Sequence, residues 1–63
     1  MKLAPVQDIK RGEFVKRTPE AKRVYIRREY DRTFKVYSLQ AFDDANFYVH
    51  VKRGVALVHD FEF

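Results

Sequence analysis

The sequence predicts an all-β fold of five short antiparallel strands, curled into a small barrel or a curved sheet. Three observations carry that expectation. Apolar and polar residues alternate with period two, as in Phe47, Val49 and Val51 against Tyr48, His50 and Lys52. The alternating positions are rich in β-branched and aromatic residues, which suit a pleated, half-buried surface. Turn-forming residues interrupt the pattern at short intervals.

The elements follow in order. Gly12 precedes a first strand over 13–17. Thr18-Pro19-Glu20 then reads as a helix cap with Pro at the first helical position, so one helical turn is expected near 19–22. A second strand covers 23–30, and Asp31-Arg32-Thr33 breaks it from a third over 34–42. Asp43-Asp44-Ala45-Asn46 leads to a fourth strand over 46–52, and Arg53-Gly54 to a fifth over 55–63. A two- or four-residue loop between strands two and three would place Val24 and Ile26 on one face with Tyr37, Leu39 and Ala41. Tyr25, Arg27 and Glu29 would then share the other face with Val36, Ser38 and Gln40. A one-residue slip would exchange the two sets.

The chain has 63 residues, which fits a single domain, and no cysteine, which excludes a disulfide framework and a Cys-ligated zinc site. Domains this small bury only about 60% of the surface their unfolded chains expose. Large side chains must therefore supply the core, and ten residues are Phe or Tyr. Phe14, Tyr37, Phe47, Phe61 and Phe63 are expected inside, leaving Tyr25, Tyr30 and Tyr48 for a partner. Oligomerisation is the other remedy for a small core, so a homo-oligomer is considered. The aromatic end, Phe61-Glu62-Phe63, would close the barrel or pair with a second copy. Met1-Lys2-Leu3-Ala4-Pro5 runs into charged sequence, and no apolar run could span a bilayer. A soluble cytoplasmic protein without a signal peptide or membrane partner is expected.

Thirteen basic residues against nine acidic ones give +4. Residues 1–35 hold eleven basic and five acidic side chains, whereas Lys52 and Arg53 stand against Asp43, Asp44, Asp60 and Glu62 in the remainder. The basic half interleaves cations with aromatics, a combination that binds phosphates and stacks bases. The candidate anion or nucleic-acid contacts are Arg27, Arg28, Arg32 and Lys35 for phosphate, with Tyr25 and Tyr30 for stacking. A solvated charge pattern is the competing reading, because a strand splits each basic pair between its faces. A hairpin tip carrying Tyr30 and Arg32, together with Tyr48, His50 and Phe63, is the candidate protein interface.

Other chemistry finds little support. Asp43, Asp44 and Asn46 have too few oxygens and the wrong spacing for calcium, and read as a turn held by Asx side chains. Glu29 can pair across the hairpin with Arg32 or Lys35. His50 and His59 lack a third ligand for a metal. Ser38 is the only serine, and no nucleophile elbow or phosphate loop is present. No cofactor and no enzymatic activity are expected.

Val6-Gln7-Asp8-Ile9-Lys10-Arg11-Gly12-Glu13-Phe14 resembles the opening of SH3-like barrels, where an apolar residue, a Gly turn and an apolar strand start fix the first strand. Val24-Tyr25-Ile26-Arg27, Glu29-Tyr30-Asp31-Arg32, Phe42-Asp43-Asp44-Ala45-Asn46 and Asp60-Phe61-Glu62-Phe63 resemble short accessory proteins of phages, prophages and plasmids. The pattern departs at Arg28, where that resemblance leads one to expect Gly. The resemblance implies a bacterial host and a binding role. Two such roles stand: an anionic partner, nucleic acid or nucleotide, and a host or defence protein that is inhibited or redirected.

Overall fold

A computed structural model describes residues 2–61. The chain is mostly strand, arranged as β1 (Lys2–Pro5), a 3-10 turn (Val6–Asp8), β2 (Phe14–Val15), β3 (Tyr25–Asp31), β4 (Val36–Ala41), β5 (Asp44–Lys52) and β6 (Ala56–His59). Two antiparallel sheets result: β1 pairs with β6, and β2-β3-β4-β5 form a meander. A single bridge between Lys16 and Val58 links the sheets where β2 ends. The expected five strands thus become six, and no closed barrel forms. β1 was missed because Lys2-Leu3-Ala4-Pro5 is too short to show a period.

Two other expectations change. The segment at 19–22 makes one turn, with the Ala21 N–H donating to the Thr18 carbonyl at 3.1 Å, and does not continue as helix. The last strand ends at His59, and Asp60 adopts a left-handed backbone with φ of 57°. That conformation cannot continue a strand. Phe61 instead lies against Lys16, whose ammonium sits 4.8 Å from the ring centre. Phe63 and Glu62 lie outside the described residues.

The central hairpin has a four-residue loop, Arg32–Lys35, flanked by Asp31 opposite Val36 and Tyr30 opposite Tyr37. Asp31 builds this loop, its Oδ1 accepting from the N–H groups of Thr33 and Phe34 at 2.9 and 3.2 Å. Further along, Arg27 faces Leu39, Ile26 faces Gln40 and Tyr25 faces Ala41. Arg28 and Glu29 therefore oppose the single residue Ser38, which is a β-bulge. The bulge reverses the expected faces. Tyr25 turns inward with Leu39 and Ala41, and Ile26 turns outward with Gln40. The physical reason lies in the charges. Strict alternation from Tyr25 would bring Glu29 to the inner face, whereas the bulge sets Arg28 and Glu29 both toward solvent.

The core holds Val6, Ile9, Val15, Tyr25, Tyr37, Leu39, Ala41, Val51 and Leu57, with Ala4 and Val49 packed against it. Val6 and Ile9 enter from the 3-10 turn and the residue that ends it. Gln7 ties this turn to the far side of the chain, its Oε1 accepting from the Gly54 N–H at 2.8 Å. Tyr25 and Tyr37 are the buried aromatics, while Phe14 and Phe47 are 41% and 38% exposed, against expectation. Phe14 meets Phe42 edge to face at 5.7 Å on the outer side. No helix among the described residues is long and apolar enough to cross a membrane.

Candidate functional site

The expected contacts separate onto different surfaces. Tyr25 is 6% exposed and packed in the core, so its ring has no free face for a base. Arg27 lies on the inner face, half-buried, with its guanidinium 4.6 Å from the ring centre of Tyr37. Its Nε is buried without a hydrogen-bond partner. Arg27 thus serves as a lid over Tyr37 rather than as an outward cation. Tyr30 also leans on Tyr37, with ring centres 4.6 Å apart, so one of its faces is occupied.

The outer face of β3-β4-β5 is different. Arg28, Glu29, Ser38 and Tyr48 line a shallow depression of about 260 Å³. Glu29 and Ser38 also line an adjoining hollow with Tyr30, Asp31 and Arg32. Arg11 and Gly12 meet Arg28 and Glu29 in a third hollow. A continuous trough therefore runs from Tyr48 across the bulge to Arg32 on one side and Arg11 on the other. The register gives its floor: Ser38 faces His50, and Gln40 faces Tyr48. Tyr48 is 47% exposed, and its neighbour His50 is exposed as well.

The electrostatics of the trough are cationic. Glu29 and Asp31 are its acids against Arg11, Arg28 and Arg32, and Arg11, in the turn before β2, pairs with Glu29, Nη1 to Oε1 at 3.8 Å. The expected partners of Glu29, Arg32 and Lys35, do not reach it. Among the described residues Arg28, Arg32 and Lys35 make no ion pair. Lys35 ends the hairpin loop with φ of 57° and is exposed. Asp31 lines the trough but spends its Oδ1 on its own loop, whereas Asp43 meets Arg23 at 3.6 Å and Asp44 Oδ1 accepts from the Asn46 N–H at 3.0 Å. The expected Asx turn is therefore present, although β5 already begins at Asp44.

The site can hold an extended anion on cations and one aromatic face. It has no enclosed cavity, and no group of three or more acidic or imidazole side chains that could hold a metal is found among the described residues. Sequence reasoning placed Tyr48 on the protein interface and left it out of the anion set. The charged doublet Arg28-Glu29 was the available signal, since two adjacent charges inside a strand fit a bulge better than alternation. No family model matches the chain, and neither a curated protein nor a solved structure matches it.

Proposed function

We propose that this chain is a non-enzymatic binding module for an anionic partner, nucleic acid in the first place. The scaffold reads as a half-open, SH3-like arrangement, supported by β6 lying between β1 and the end of β2. Arg28, Arg32 and Lys35 supply phosphate contacts, and Tyr48 replaces Tyr25 as the stacking ring. The carrying observation is the trough itself. It holds Arg28 beside an exposed Tyr48 and Arg32 in the adjoining hollow, neither in an ion pair among the described residues, while Glu29 is paired with Arg11 and the Asp31 carboxylate is engaged by its own loop. Cations bind phosphate without regard to sequence, and an aromatic face accepts any base. The partner so defined is a single strand with unstacked bases. The phage-type resemblance is consistent with this role and with a bacterial cytoplasm.

Titration of fluorescein-labelled mixed oligonucleotides at increasing salt tests the reading. Binding at low salt that falls linearly on logarithmic axes is expected. Absence of binding at the lowest salt would reject it. The double substitution Arg28→Ala with Arg32→Ala is expected to reduce the salt slope by about 1–2, since each phosphate contact contributes close to one unit.

A further inference from the structure

In the regular part of β5, Val51 is buried and Val49 packs against the core. The alternate residues Tyr48, His50 and Lys52 therefore share the outer face, and all three are exposed. The other tyrosines are committed, since Tyr25 and Tyr37 lie in the core and Tyr30 leans on Tyr37. Among the described residues the side chains of Tyr48 and His50 make no ring contact, ion pair or hydrogen bond. Across the sheet Tyr48 faces Gln40 and His50 faces Ser38, both uncharged. Ser38 belongs to the depression that Tyr48 and Arg28 line, so the residue opposite it, His50, borders the trough.

Spacing fixes what these two rings can hold. Residues two apart on an antiparallel strand are about 6.8 Å apart. Neighbouring bases stacked along one nucleic-acid strand are about 3.4 Å apart. Two successive bases can each cover one ring only after leaving their own stack. A flexible single strand permits this, and a duplex does not. Histidine serves as a stacking ring as tyrosine and phenylalanine do. Lys52, the next residue of the stripe, makes no ion pair among the described residues, so the following phosphate meets a cation.

We propose that His50 is a second base-stacking ring, so that the outer face of β5 takes two successive unstacked nucleotides, one on Tyr48 and one on His50, with the strand leaving past Lys52. This deepens the anion-binding reading and rests on it. Arg28 and Arg32 supply the attraction for phosphate, and β5 sets the number of bases held.

Fluorescence anisotropy with labelled single strands of equal length tests the proposal. All carry the same phosphates and zero, one, two or three adjacent thymines, the remaining positions being abasic. Affinity should rise about tenfold with the first base, about tenfold again with the second, and little with the third. His50→Ala should keep one step only. His50→Phe, which retains a ring and cannot carry charge, should keep both. His50 is exposed, and circular dichroism checks that each variant is folded. A single step in the unsubstituted chain would overturn the proposal. So would two steps surviving in His50→Ala, or loss of the second step in His50→Phe. If the abasic strand binds and no base adds affinity, the phosphate contacts stand and the two-base site falls. If no strand binds at the lowest salt, both fall.

Discussion

β6 and β5 are both formed from alternating, β-branched sequence, yet they occupy opposite extremes of this molecule. β6 has four residues, and the adjacent Leu57 and Val58 are both buried. Leu57 and Val58 point to opposite faces, so both faces are covered there, and the edges are covered too, by β1 on one side and by the Lys16 bridge on the other. β5 has nine residues, of which Val51 alone is fully buried. The difference teaches that strand length and hydropathy do not set burial here. Position does: the short strand sits between two neighbours and the long one lies at an edge.

Substitutions can break this contrast, and their effects should descend in order. Leu57→Ala should cost about 2–5 kcal/mol, enough to unfold much of a domain this small; urea denaturation followed by circular dichroism reads it. Val58→Thr should cost about 1–3 kcal/mol by burying a hydroxyl without a partner, whereas the half-buried Val49→Thr should stay near 0.5 kcal/mol. Equal losses at the two valines would refute the contrast. Tyr48→Ala should leave the denaturation midpoint nearly unchanged and weaken oligonucleotide binding by about 1–3 kcal/mol. If instead it destabilises the fold and spares binding, the outer trough is only a surface. Lys35→Gly should raise stability by roughly 0.5–1 kcal/mol, because glycine accepts the positive φ without steric cost.

These contrasts also show what could be read in advance. The β class, the central hairpin and the Asp31 turn were legible, because period two and Asx chemistry act over a few residues. The faces of β3 were not. A bulge at Arg28-Glu29 inverts everything on one side of it, so Tyr25 moved from the candidate site into the core. The aromatics misled in a related way. Phe14 and Phe47 are hydrophobic enough for a core, but each stands on a face or margin that this sheet leaves outside. Arg28 and Arg32 were expected as anion contacts from the interleaving of cations with aromatics, and they line adjoining hollows, Arg28 in the one that Tyr48 shares. That grouping depends on a register shift, for which the charged doublet Arg28-Glu29 was the one local signal.

The bond from the Gly54 N–H to Gln7 spans 47 positions, and the β1–β6 pairing spans a comparable distance. Such contacts are the most non-local that the fold contains, and closing long loops costs entropy before any pairing rewards it. The β2-β3-β4-β5 meander, by contrast, is built from successive neighbours. The order of assembly follows from this. The meander can form from neighbouring segments alone, whereas β1 gains its partner only when the two ends of the described chain meet. A form with the meander built but β1 and β6 still apart leaves Val6 and Ile9 without Leu57, and that partly folded form is the one most open to aggregation.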